Sequence, residues 1–130
     1  MADSANVLIV DDNQDLRETL AVLLESEGHH VSEAADGQIA LHALALDPNL
    51  GVVILDLMMP VMDGPTFLEH KARSSHASTP VVIFSSSPCV GLEGFAGVVS
   101  VVPKVDGIES LLVAIRNAES AAPVSYAQGL

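Results

Sequence analysis

Three acidic positions, a serine run and a lysine stand where chemistry can be done. Asp11-Asp12 follows the apolar run Val7-Leu8-Ile9-Val10, and Asp56 follows Val52-Val53-Ile54-Leu55. Ser85-Ser86-Ser87 follows Pro80-Val81-Val82-Ile83-Phe84, and Lys104 follows Val98 to Val102 with one proline between. Each alone has an ordinary explanation. An Asp after a strand is a turn former or helix cap, a Ser makes local hydrogen bonds, and a Lys lays its stem on apolar surface with its charge in water. As a set they ask for more. If the four runs are parallel strands, three carboxylates, a hydroxyl and an ammonium share one edge of a sheet. Two carboxylates about 4 Å apart repel by roughly 4 kcal/mol at an effective dielectric of about 20. One lysine offsets part of that. A hard divalent cation such as Mg²⁺ offsets more, because it takes carboxylate oxygens, keeps waters and leaves positions for phosphate oxygens. A carboxylate nucleophile, a metal, a hydroxyl donor and a lysine together can accept a phosphoryl group on Asp. The phosphate-cradling loops G-x-x-x-x-G-K-[ST] and G-x-G-x-x-G are both absent from the chain.

The elements that must position these residues follow from periodicity. Continuous apolar runs mark strands buried on both faces, here Val7–Val10, Val52–Leu55, Pro80–Phe84 and Val98–Val102, with a shorter strand at Val31–Ala34. Between them lie helical patterns. Leu16, Leu20, Leu23 and Leu24 share one face, with Asp12 or Asn13 able to cap the start and Gly28 the end. A second helix runs from Gly37 to Leu46 and stops at Asp47-Pro48. A third starts near Gly64-Pro65, and a last one carries Ile108, Leu111, Leu112 and Ile115 on one face, with Asp106 as a cap. Strands alternating with helices imply parallel βαβ units, hence an open doubly wound five-stranded sheet with helices on both faces. Ligands of such sheets bind outside the carboxyl ends of the strands. That is where the set above falls.

Composition fits a single domain. The chain has 130 residues and a formal net charge of -12, with only five basic residues, which argues against direct nucleic-acid binding. No apolar run is long enough to cross a bilayer, the N-terminus lacks the charge pattern of a secretory signal, and the lone Cys89 makes no internal disulfide. A cytoplasmic domain over residues 1–120, with a loosely ordered tail at 121–130, is the expectation. His29-His30 reads as a solvated turn and Cys89 as a small apolar filler.

The segments "VLIVDDN", "VVILDLMMPVMDG" and "PVVIFSSS", with the lysine after the fifth strand, resemble the receiver domain of bacterial two-component response regulators. The likeness spans Val7 to about Ala118, and its most specific piece is Asp56-Leu57-Met58-Met59-Pro60-Val61-Met62-Asp63-Gly64, the family's D-x-x-M-P-x-M-D-G signature. The resemblance implies the flavodoxin-like strand order 2-1-3-4-5, that Asp56 is the phosphoacceptor, that Asp11 and Asp12 position Mg²⁺, and that the main-chain carbonyl of Met58 is another metal ligand. It implies that Ser85 hydrogen-bonds the phosphoryl group, that Ser86 is the small residue leaving access to it, and that Lys104 pairs with a phosphoryl oxygen. The implied partner is a histidine kinase or histidine phosphotransfer protein, with an unnamed downstream protein target. The chemistry is self-catalysed transfer and dephosphorylation rather than turnover of a separate substrate. The chain is then expected to be a stand-alone receiver, monomeric or weakly dimeric. The alternatives are a degenerate receiver serving as a phosphorylation-independent interaction module, and a flavodoxin-like small-molecule binder or hydrolase.

Three departures from the family pattern are visible. Val105 follows Lys104 where the family has Pro, and a cis bond to a non-proline residue costs about 3 kcal/mol, so this bond is expected to be trans. Val101 occupies the place of the family's aromatic switch residue. Between Ser85 and Lys104, Pro88, Gly91, Gly94 and Gly97 interrupt a helix at about 1 kcal/mol per glycine, so the helix before the fifth strand is expected to be short or replaced by a loop.

Overall fold

A computed structural model describes residues 6–86 and 97–128, with side chains as far as Glu119. Five strands form one parallel sheet, β1 (Asn6–Val10), β2 (His30–Ala34), β3 (Leu50–Leu55), β4 (Val81–Ser85) and β5 (Val98–Pro103), in the order β2-β1-β3-β4-β5. Four helices are described, α1 (Gln14–Ser26), α2 (Gly37–Leu46), α3 (Gly64–Ala72) and α4 (Gly107–Gln128). A 3₁₀ turn at Lys104–Asp106 precedes α4. The doubly wound sheet expected from the apolar runs is observed, in the strand order that the resemblance implies.

Alternation along each strand splits the core into two layers. Val7, Ile9, Val52, Ile54, Val82, Phe84 and Val102 pack on one face with Leu20 and Leu24 of α1 and Leu111 and Ile115 of α4. Leu8, Val10, Val53, Leu55, Val81 and Ile83 face the other way, onto Ala40 and Leu44 of α2 and Phe67 and Leu68 of α3. Strands covered on both faces need both sets of side chains apolar, which is why they read as unbroken runs.

Local signals place the helix starts. The side chains of Asn13, Asp36 and Asp63 accept the backbone N–H of Leu16, Ile39 and Thr66, at 3.1, 2.9 and 2.9 Å, capping α1, α2 and α3. Pro65 stands in the first turn of α3, where its missing N–H costs nothing. Asp106 directly precedes α4, in the 3₁₀ turn, and its main-chain carbonyl accepts the Ser110 hydroxyl at 3.1 Å. The backbone of α4 runs as helix from Gly107 to Gln128. The expected shortening of the helix before β5, and Cys89 with it, fall on residues 87–96, outside the described residues.

Two side chains are buried against expectation. His29, expected in a solvated turn, is buried where α1 turns into β2, with Nδ1 3.4 Å from Oε2 of Glu119 on α4. Lys71 of α3 is 1% exposed, and its Nζ donates to the Ala77 carbonyl at 3.2 Å. Burial pulls the Lys71 ammonium down from 10.5 to about 8. Between those two pH values the unfolded chain holds a proton that the folded chain has released, so stability rises with pH across the window and the penalty is fully present below it. At about 1.4 kcal/mol per unit the shift is worth up to about 3 kcal/mol. Lys71→Met is expected to melt higher than wild type at pH 7, with the difference closing by about pH 10.5. Parallel melting curves at every pH would contradict this.

Candidate functional site

The register brings the carboxyl ends of the strands level. Val10 lies opposite Ala34 and Leu55, Leu55 opposite Ile83, and Ser85 opposite Pro103. Asp11, Asp56 and Lys104 are each the next residue on, so all fall on one edge. The order reverses between β1 and β3, and the crevice at such a reversal is where doubly wound sheets take ligands.

Asp11, Asp56 and Ser85 are buried, while Asp12 is exposed at the rim. One carboxylate oxygen from each of Asp11, Asp12 and Asp56 falls within 4.8 Å of the others. Lys104 Nζ donates to Asp11 Oδ2 at 2.8 Å and stands 3.8 Å from Asp56 Oδ1. Three strand spacings separate β5 from β1, about 14 Å of sheet, so the contact needs the Lys104 and Asp11 side chains to reach toward each other across the strand ends. The Leu57 N–H is shared between Asp56 Oδ1 at 2.9 Å and Ser85 Oγ at 3.4 Å, tying the carboxylate and the hydroxyl to one donor. Asn13 N–H holds Asp11 Oδ1 at 2.9 Å.

Burial, with the Asp11 charge adding to it, raises the Asp56 carboxyl above its ordinary range. The Ser85 hydrogen bond, Lys104 and the Leu57 N–H pull the other way and offset only part of it. The fold therefore leaves Asp56 with negative charge incompletely compensated. An all-oxygen donor set with surplus charge fits a hard cation such as Mg²⁺ and not a soft one.

The loop after Asp56 is shaped by what touches it. Gly64 N–H donates to Leu57 O at 3.0 Å, and a Cβ on Gly64 would lie 2.8 Å from Leu57 Cα and 3.0 Å from Asp56 O. Glycine is required here for space. Gly37, at the start of α2, donates to Met62 O at 3.2 Å and would likewise meet Met62 at 2.9 Å with a Cβ. Between these two latches Val61 takes φ of 67°, a strained value for a β-branched residue, and Met62 N–H closes a tight turn onto Pro60 O at 2.7 Å. The loop walls an open hollow of about 470 Å³ lined by Asp12, Leu57, Met58, Met59, Pro60 and Asp63. Gly64→Ala is expected to move the Asp56–Leu57 backbone and lower stability by about 1–3 kcal/mol. The check is a denaturant titration, and an unchanged midpoint would contradict the close approach.

Of the residues singled out from sequence, Asp11, Asp12, Asp56, Met58, Ser85 and Lys104 border this one crevice. The Lys104–Val105 peptide is trans, as expected without the proline. Sequence reasoning missed Arg17, whose Nη1 donates to the Asp11 carbonyl at 2.8 Å and whose Nε donates to Glu33 at 3.1 Å. Its position six residues after Asp11, on the first turns of α1, was the available signal. Asp63 is more than the turn former its Asp-Gly context suggests. It caps α3, and the Thr66 N–H holds its carboxyl below the usual range.

A family model of the response regulator receiver domain matches residues 7–93, about two thirds of the chain. This chain belongs to the response regulator receiver family. Among curated relatives of this receiver, the transcriptional regulatory protein SrrA of Staphylococcus aureus is 39% identical over 83 residues, which is 64% of this chain and 33% of that protein. The receiver thus covers about a third of that relative's length. Among solved structures, Vibrio cholerae chemotaxis protein CheY4 superposes with a TM-score of 0.79 at 28% identity, over 88% of this chain and 98% of that one. A response regulator receiver protein from Pseudomonas putida gives 0.82 at 26% identity, over 90% and 99%. The fold and two-component family membership of this receiver rest on these likenesses together. Among the described residues no helix is long and apolar enough to cross a membrane.

Proposed function

We propose that this receiver takes a phosphoryl group onto Asp56, from a histidine kinase or a histidine phosphotransfer protein, with Mg²⁺ bound at Asp11, Asp12, Asp56 and the Met58 carbonyl. The observation that carries the reading is the buried Asp56 carboxylate, facing a lysine at 3.8 Å and sharing a backbone donor with Ser85. Asp56 attacks the phosphorus, a P–O bond forms as the donor's P–N bond breaks, and the leaving imidazole nitrogen keeps the bonding electrons and takes up a proton. Lys104 is tied to Asp11 in the resting protein. Its 3.8 Å separation from Asp56 leaves it one small movement from an oxygen of the transferred group. Ser85 stands on the neighbouring strand with its hydroxyl toward the same place. Mg²⁺ held by Asp11, Asp12, Asp56 and the Met58 carbonyl would supply positive charge to offset the carboxylates and the phosphoryl oxygens, and in phosphoryl transfer positioning and charge are nearly the whole of catalysis.

The test is incubation with acetyl phosphate, with and without Mg²⁺, followed by intact-mass measurement. One added phosphoryl group, dependent on Mg²⁺ and lost in mild base, is the expected result. No addition under any condition would favour the degenerate interaction module instead. The departures at Val101 and Val105 bear on what the receiver does after transfer, because Val101 lacks the ring that would report the state of Ser85.

A further inference from the structure

The loop that carries the acidic pair is held from outside the site. Asp11 N–H donates to Ala34 O of β2 at 3.1 Å, and the Asp11 carbonyl accepts from Arg17 Nη1 at 2.8 Å. That carbonyl belongs to the peptide joining Asp11 to Asp12. The peptide is planar, so fixing its C=O direction fixes the direction in which Asp12 leaves it. Arg17 is itself fixed, because its Nε donates to Glu33 Oε1 at 3.1 Å from β2. A guanidinium can make both bonds from one rigid plane, which an ammonium cannot. The arginine side chain is only 14% exposed, so it is packed in this place.

We propose that Arg17, braced by Glu33, is a positioning residue that sets the site's affinity for Mg²⁺ by orienting the Asp11–Asp12 peptide. The proposal deepens the phosphoacceptor reading and rests on its claim that the acidic site takes a divalent cation. Arg17 touches no carboxylate of the cluster; it acts through the main chain. Its charge works against its role, since a cation beside the site repels Mg²⁺. The two effects therefore predict opposite signs. If charge alone mattered, Arg17→Ala would bind Mg²⁺ more tightly and Arg17→Lys would bind it unchanged. If orientation matters, Arg17→Ala binds more weakly, and Arg17→Lys recovers only part of the loss despite keeping the charge.

The experiment is calorimetric titration of the full chain with Mg²⁺ alone, no phosphodonor present, for wild type, Arg17→Ala and Arg17→Lys, with melting temperatures in EDTA as a control. Outer partners of metal ligands are worth roughly 10- to 100-fold in affinity, so a loss of about tenfold is expected for Arg17→Ala, with Arg17→Lys between it and wild type. Should Arg17→Ala fail to fold, the Arg17→Lys affinity alone decides: weaker than wild type supports orientation, unchanged supports charge. Mg²⁺ affinity that is unchanged or tighter in both variants would overturn the proposal while leaving the phosphoacceptor reading standing. Wild-type protein that takes up no Mg²⁺ at millimolar concentration would instead overturn the cation reading itself, and the positioning role with it.

Discussion

Asp56→Asn is expected to fold, to melt a few degrees higher than wild type in the absence of metal, and to take no phosphoryl group from acetyl phosphate. The gain in stability follows from the raised proton affinity of Asp56, which burial causes and Asp11 reinforces. Its ionised form is disfavoured in the folded chain. The penalty appears as pH rises from the unfolded carboxyl's range and is fully present above the folded one. A neutral amide of the same shape removes it. In a domain of this size each kcal/mol of such relief raises the melting temperature by a few degrees. The same substitution removes one of the three carboxylates that cluster within 4.8 Å, so the stabilisation by Mg²⁺ should shrink as well. A lower melting temperature for Asp56→Asn without metal would contradict the electrostatic account even if phosphorylation were lost.

Lys104→Met should move the metal-free protein the opposite way. It deletes the counter-charge 2.8 Å from Asp11 and 3.8 Å from Asp56 and leaves two buried carboxylates facing each other. Breaking one side of a buried pair costs more than the pair is worth, because the remaining charge stays desolvated. Lys104 is about a quarter exposed, which tempers the loss to about 1–2 kcal/mol. Mg²⁺ should recover more of the melting temperature in this variant than in wild type. Phosphorylation by acetyl phosphate should slow by about 100-fold, the usual cost of losing one fixed donor to transition-state charge. A variant that melts like wild type and labels within about twofold of its rate would remove Lys104 from the site.

How much of this was legible in the sequence depends on how local each signal is. Asp11 and Asp56 were readable because each ends an unbroken apolar run, and β1 and β3 turn out to be neighbours at the reversal of strand order. The caps at Asn13, Asp36 and Asp63 are short-range signals, and α1 to α3 start where they stand. Lys104 was readable in type but not in target. Its contact with Asp11 crosses two intervening strands and depends on sheet geometry that no spacing reveals. Gly64 was recognised as part of a signature, yet its physical reason, the 2.8 Å approach to Leu57, is tertiary. Arg17 reads as one more polar helix residue until β2 brings Glu33 beside it. Lys71 and His29 look like surface residues because polar types usually are, and only the packing of α3 and α4 buries them.

The central claim is that Asp56, and no other carboxylate of the cluster, accepts the phosphoryl group. Borohydride reduces an aspartyl phosphate to homoserine and leaves free carboxylates untouched. Wild-type protein treated with acetyl phosphate and Mg²⁺, reduced, digested and sequenced by mass spectrometry should carry homoserine at position 56, with Asp11 and Asp12 intact. Homoserine at position 11 or 12, or none anywhere after Mg²⁺-dependent treatment, would contradict the account.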